Sequence, residues 1–237
     1  MPEFSKRSGE IEIMDDLNCT GEVLDQTLLE LEIINKWLGG NSITIHAVSE
    51  LLKSNTNSQE ITIADLGCGG GGILRIIDAW GKKRKLKMKL IGIDANPYII
   101  SFAKNNLTDY PHIQFETANI LGQDFRHQKF DIVIGTLFYH HFTNEQLINF
   151  FKHLKDNVRI GFIINDIHRH WLAYYSIKIL THVFSKSAMV KYDAPLSVLR
   201  AFKKKELMQM LKAAHIENFT IQWRWAFRWQ IIARIVG

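Results

Sequence analysis

The sequence predicts an α/β fold: a mostly parallel sheet with helices on both faces. Three observations carry that expectation. Between residues 61 and 164, short β-branched runs alternate with helix-length amphipathic segments, the pattern of βαβ units. Five glycines fall in six positions, Gly67 and Gly69 to Gly72, where a strand-like run gives way to helical spacing. The end of the chain reads as two strands, Phe219 to Trp225 and Arg228 to Val236, meeting near Ala226-Phe227.

Taken in order, residues 1–9 read as a flexible tail. Val23, Leu24, Leu28, Leu31, Ile34 and Leu38 make a helical stripe over 22–38, stopped by Gly39-Gly40. A second helix over 43–53 leads into a polar linker, Ser54 to Ser58. Strands are expected at 61–66, 90–93, 113–115, 130–134 and 159–164, and helices at 73–80, 97–106 and 144–155, with a weaker one at 120–127. Past Asp166 the rhythm changes. Residues 169–190 are apolar, aromatic and helical, with Leu172, Tyr175, Ile179 and Val183 on one side; a loop with Pro195 and a helix over 203–214 follow. One domain, 10–237, results: a helical cap and linker (10–58), a ligand-binding core (59–168), a helical lid (169–202), and a C-terminal helix and strand hairpin (203–237).

Composition narrows the partners. The chain has 237 residues, 46% hydrophobic and 22% charged, the balance of an ordinary globular domain. Two cysteines, Cys19 and Cys68, are too few for a disulfide framework and match no metal spacing, which fits a reducing cytoplasm. There is no apolar run near the length of a membrane span and no signal peptide pattern. The net charge of +5 gathers in Lys82-Lys83-Arg84-Lys85 and Lys203-Lys204-Lys205. Such runs read as solvated faces, so a nucleic-acid partner is disfavoured.

The glycine turn shows what the core binds. Gly67, Gly69 and Gly72 satisfy G-x-G-x-x-G, a turn whose backbone lets a nucleotide-like ligand approach a helix N-terminus. Asp94 ends the second strand, where an acid accepts from both ribose hydroxyls; dinucleotide folds share that feature. Asp65 discriminates. A carboxylate inside the first turn repels a pyrophosphate but suits a cationic ligand, such as the amino-acid end of S-adenosylmethionine.

At these residues the chain resembles the class I S-adenosylmethionine-dependent methyltransferases, over about residues 45–236. Ala64 to Gly69 resembles that family's first motif, Ile93-Asp94-Ala95-Asn96 its ribose-binding second, and Thr117-Ala118-Asn119-Ile120 its third. The family has an acid where Asn119 stands, so this match is weaker, although an amide carbonyl still accepts from an adenine amino group. Phe130 to Val133 and Thr136 to Phe142 resemble its fourth strand and following loop. The resemblance implies a Rossmann-like fold of seven strands with an antiparallel last strand, and S-adenosylmethionine as methyl donor, leaving S-adenosylhomocysteine. It implies cofactor contacts from Asp65, Gly67, Cys68, Gly69, Asp94, Ala95, Asn119, Ile120 and Thr136. Met14-Asp15-Asp16, Asn165 to Arg169, Leu196 to Phe202, and Phe227-Arg228-Trp229 resemble a bacterial subgroup. Its members are encoded beside type III polyketide synthases and are related to quinone-biosynthesis methyltransferases. That implies a small hydrophobic or aromatic acceptor, phenolic or quinone-like.

The catalytic candidates are His140, His141, His168 and Arg169. His168 is favoured as base, with Asp166 to orient it and Arg169 to steady a phenolate. Adjacent histidines are expected to point apart and no third ligand is suitably spaced, so no metal is expected. Cys68 fills a tight turn. Ile221, Trp223, Trp225 and Phe227 alternate with Gln222, Arg224 and Ala226, as in a half-buried strand, which favours packing over RNA stacking or a membrane belt. The rivals are an RNA or protein methyltransferase, without an Asn-Pro-Pro-Tyr motif here, and a non-catalytic binding protein. A homodimer and peripheral contact with a membrane are both compatible with the sequence.

Overall fold

The strand-like runs are apolar on both faces, so each needs cover from above and below. The structure, a computed structural model, describes residues 2–53, 60–122 and 124–235. In it the runs form β1 (Ile61–Leu66), β2 (Met88–Asp94), β3 (Gln114–Thr117), β4 (Phe130–Thr136), β5 (Val158–Ile167), β6 (Phe219–Arg224) and β7 (Arg228–Arg234). The sheet order is β3-β2-β1-β4-β5-β7-β6. Only β7 runs against its neighbours, β5 and β6. From β1 the chain builds outward through β2 to β3, then returns to place β4 on the other side of β1. The carboxyl ends of β1 and β4 therefore flank a topological switch point, the place where open α/β sheets bind ligands.

Among the described residues eight helices surround the sheet: α1 (Glu22–Trp37), α2 (Gly40–Leu52), α3 (Gly72–Lys83), α4 (Pro97–Asn106), α5 (Asn144–Asn157), α6 (Trp171–Phe184), α7 (Ala188–Arg200) and α8 (Lys204–Ala213). On one face Val48 and Leu51 of α2 and Leu74 and Ile77 of α3 pack on Ile63, Ile132 and Ile163. On the other, Phe151 and Leu154 of α5 and Leu207 and Leu211 of α8 pack on Val133, Phe162 and Ile231. Local chemistry fixes the starts. Asn96 caps α4 ahead of Pro97, and Thr143 and Gln146 form a reciprocal capping box on α5. Among the described residues no helix is long and apolar enough to cross a membrane.

Four expectations need correction. Among the described residues of 120–127 there is a short 3-10 turn, Asp124–His127, in place of an α-helix. Residues 169–190 divide into α6 and the start of α7, because Ser187 caps a new helix by accepting from the Val190 N–H. Pro195 lies inside α7, where a loop was expected. Buried Met189, Val190, Leu196 and Val198 anchor that helix strongly enough to absorb one missing backbone bond. The N-terminal stretch is tied down: Arg7 donates to the carbonyls of Arg200 and His140, and Ser8 N–H donates to Leu199. The polar linker 54–58 lies outside the described residues.

Arg169 belongs to this framework. Its guanidinium is buried, donates to the Ala201, Phe4 and Ser5 carbonyls, and pairs with Glu206. The expected role of steadying a phenolate is therefore not where its donors point. Arg169→Ala strands Glu206 and three carbonyls, and should cost about 3–5 kcal/mol in urea denaturation. Ligand affinity of the folded fraction should stay unchanged.

Candidate active site

The glycine turn takes a shape that side chains resist. Gly67, Gly69 and Gly71 all have left-handed backbone, with φ of 63°, 51° and 76°. At Gly67 a Cβ would also come within 2.2 Å of the Phe138 ring. The turn thus needs glycine for its backbone angles and for close packing, and it delivers the N-terminus of α3 to the end of β1.

Two acids stand beside it. Asp65 is buried at the carboxyl end of β1, and Asp94 is half-buried at that of β2. Burial and the neighbouring Asp94 charge push the Asp65 carboxyl well above the ordinary range. Burial raises Asp94 as well, against N–H groups of Asn96, Gly69 and Ala95 that favour its charged form. Two like charges out of water call for a cation or a multiple donor between them. Burial also pushes the Cys68 thiol well up, which disfavours the nucleophilic thiolate.

These groups line one end of a cavity of about 1420 Å³. Ligand pockets typically hold about 300–1,000 Å³, so there is room here for two occupants side by side. All nine sequence-predicted cofactor contacts, from Asp65 to Thr136, lie on its wall. Asn119 Oδ1 accepts from the Leu121 N–H at 3.0 Å, which holds the third-motif turn. The other end is walled by Glu12, His140, His141 and Arg200, with Ala173, Ile177 and Leu180 of α6 above.

At that far end the chain has built a charge network. His140 is buried, and its Nδ1–H donates to Asp166 Oδ1 at 2.8 Å. Asp166 also accepts from the backbone N–H of His140 at 3.1 Å and of Ile167 at 2.7 Å. Burial alone would raise this carboxyl; His140 and those N–H groups outweigh it and hold it below the ordinary range. With Nδ1 committed, His140 Nε2 is left without a hydrogen-bond partner, 3.6 Å from Glu12 Oε1, which also lacks one. Glu12 takes a hydrogen bond from Ser197 on its other oxygen, at 2.8 Å. Its carboxyl is pushed up to about 7, chiefly by burial. His141 Nδ1 meets Asp15 Oδ1 at 2.5 Å, and Arg200 pairs with Asp15 and donates to the His141 carbonyl at 2.7 Å. Burial works against the Asp15 charge, but His141 and Arg200 prevail and lower its pKa.

The histidine pair was expected to diverge. Instead its rings lie face to face, centroids 4.3 Å apart and planes at 32°. With Glu12 they bring three ligand atoms within 4.8 Å of one another, a grouping able to hold a metal ion. Arg200 Nε already stands 3.6 Å from Glu12 Oε1 and supplies positive charge there.

His168 and Arg169 lie outside the cavity wall. His168 packs on the Trp229 ring at 4.8 Å and on His170 at 5.4 Å. Burial first, then the positive neighbours His170, Arg169 and Lys203, push it down to about 4. Asp166, expected to orient it, points to His140 because the turn after β4 brings that histidine over the end of β5. The tryptophans divide too. Trp229 is buried and donates to the Phe202 carbonyl at 3.1 Å, whereas Trp223 and Trp225 are exposed, against the packing expected of them. Asp15 and Arg200 sat inside sequence motifs but drew no role from sequence, and Glu12 carried no local signal.

Residues 63–161 match a family described as a methyltransferase domain. Together with the β3-β2-β1-β4-β5-β7-β6 sheet, that match decides the fold's kind. The chain has the fold of the class I S-adenosylmethionine-dependent methyltransferases. Solved structures of this fold include the plantazolicin methyltransferase BpumL in complex with SAH, at 16% identity and TM-score 0.63, over 90% of this chain and 94% of that one. The citrinin polyketide synthase CMeT domain gives 13% and 0.60, over 81% and 51%. Human N-acetylserotonin methyltransferase in complex with SAM gives 14% and 0.62, over 89% and 55%. The chain spans about half the length of the last two. No curated protein sequence matches it.

The raised Glu12 carboxyl sets a pH dependence. Because its folded pKa of about 7 lies above the ordinary 4.5, stability is full below about 4.5 and falls as pH rises through 7. Glu12→Gln should remove that loss, stabilising the protein by on the order of 2–3 kcal/mol near pH 8 and little near pH 4. Urea denaturation at the two pH values checks this.

Proposed function

We propose that this protein transfers the methyl group of S-adenosylmethionine to a small hydrophobic acceptor, phenolic or quinone-like, with His140 as general base. The observation that carries the reading is the division of one cavity between two ends. Two unmatched carboxylates line one end and a lone histidine nitrogen backed by a buried carboxylate lines the other. The cofactor end fits its ligand: Asp65 takes the ammonium, Asp94 the ribose hydroxyls, and the left-handed glycines leave room for the backbone to approach. When bound, the cofactor supplies an electrophilic methyl group on a sulfonium.

The protein's own residues do the rest. A phenol, with a pKa near 10, is mostly protonated at neutral pH and a poor nucleophile. His140 Nε2 accepts the acceptor's proton as its oxygen or carbon attacks, and Asp166 holds the ring in the needed tautomer and steadies the imidazolium. Glu12 offers the acceptor a second polar contact. The apolar wall from α6 excludes water, and alignment of two occupants contributes on the order of 7–11 kcal/mol. A cytoplasmic site of action fits two free cysteines. The basic run at Lys82 to Lys85 supports no RNA substrate: it follows α3 on the side where β2 begins, at the other end of the strands from the cavity. There Lys82 pairs with Asp78 at 2.7 Å and Arg84 stacks on Trp80.

S-adenosylmethionine at a hundredfold excess over its Kd should raise stability by about 2.7 kcal/mol in thermal unfolding. Its affinity should increase with pH, since the cation favours the ionised forms of Asp65 and Asp94, whose carboxyls burial pushes up. Tight NAD binding in calorimetry, with none of S-adenosylmethionine, would overturn the cofactor.

Against a phenolic acceptor, His140→Ala should lower kcat by roughly 10²–10⁴-fold while the cofactor still binds. His168→Ala should keep near-full turnover. The reverse result would return the base to His168. Loss of activity on chelation, restored by zinc, would assign Glu12, His140 and His141 to a metal.

A further inference from the structure

We propose that α6 docks on an anionic lipid surface, lying in its plane, and that the acceptor reaches the cavity from that surface. The docking stands on the geometry of α6 alone; the delivery of acceptor rests on the hydrophobic-acceptor reading above.

A lid helix over a closed pocket should turn its apolar residues inward, yet α6 is apolar on both sides. Ala173, Ile177 and Leu180 face the cavity. Trp171, Tyr175, Ile179 and Val183, each four residues on from the last, form one outward row and are 54%, 43%, 66% and 63% exposed. Phe184, at 71%, ends the row. A second row lies close by on α1, where Leu29, Ile33 and Trp37 are also exposed. Glu30, between Leu29 and Ile33 along that helix, accepts the N–H groups of Lys186 and Ser187 at 2.8 and 3.2 Å, pinning the end of α6 to α1. Exposed apolar rows of this kind mark an interaction site.

Charge selects the occupant. Between Asp166 and Asp193 the sequence has no carboxylate, while Lys178, Lys186 and Lys191 are exposed along the same stretch. A second copy of the chain, docked through α6, would bring lysines against lysines with no acid on this segment to answer them. Anionic headgroups answer them directly, and lysine stems can lie along the apolar row while their ammonium groups reach the headgroups. The combination of Trp, Tyr, Phe and Ile with flanking lysines is that of helices that lie in a membrane interface. At 14 residues α6 is too short to span a bilayer.

The test is co-sedimentation of the full chain, without cofactor or acceptor, with vesicles of phosphatidylcholine alone or mixed with phosphatidylglycerol. Binding should require phosphatidylglycerol and weaken with salt. A triple change, Trp171→Gln, Ile179→Gln and Val183→Gln, should reduce it at least about tenfold. The variant should keep its far-UV circular dichroism and its thermal shift with S-adenosylmethionine. Lys178→Gln with Lys186→Gln should erase the preference for anionic vesicles. No binding to mixed vesicles would overturn the proposal. So would a wild-type dimer that the triple change converts to monomer in sedimentation velocity, with vesicle binding unaltered. Because no turnover is measured, failure of the methyl-transfer reading would not register here.

Discussion

A carboxylate taken out of water needs a partner, and most of this molecule's cap can be understood from that requirement. The parallel sheet ends Asp65, Asp94 and Asp166 at one edge, and the N-terminal stretch adds Glu12 and Asp15 above them. Asp166 and Asp15 are fully answered, by His140 and two backbone N–H groups and by His141 with Arg200. Glu12 is half answered, by Ser197 and a more distant Arg200. Asp65 and Asp94 face each other with like charge. The protein thus satisfies its acids at the acceptor end and leaves those at the glycine turn for a ligand.

This division explains why the cap is built from pieces far apart in sequence. The groups that answer Asp15 come from the loop after β4 and the end of α7, and Glu12 meets both His140 and Ser197. Residues 7 and 8 close the arrangement by bonding to the same two places. Each contact joins residues more than a hundred positions apart. Their geometry therefore depends on the sheet being assembled first, with α6 and α7 laid across its carboxyl edge. The same helix that shuts the acceptor end then carries an unmatched apolar face outward.

Some features were written locally. The order of strands and helices followed from periodicity, because a strand buried on both faces and a helix with one apolar stripe leave different spacings. The glycine turn with Asp65 and Asp94 was legible because its chemistry lies in one βαβ unit, and every residue singled out for the cofactor lies on the cavity wall. Local signals failed where packing overruled them. Pro195 read as a loop, yet buried neighbours keep α7 continuous through it. Trp223 and Trp225 alternated as half-buried residues do, but Trp223 lies near the end of the edge strand β6 and Trp225 in the turn beyond it, past the part that Phe219 and Ile221 pack on the core.

The sequence by itself determined the architecture and the cofactor end, since both depend on spacing and residue type over short stretches of chain. Only the tertiary structure separates the two candidate histidines. His140 and His168 are alike as letters, each near the end of a strand. Their difference is that Asp166, beside His168 in the chain, reaches across to the ring of His140, while His168 turns onto Trp229. The turn after β4 brings His140 over the end of β5, so nearness in sequence was the wrong guide to contact. The partner of a buried carboxylate is set by the fold around it.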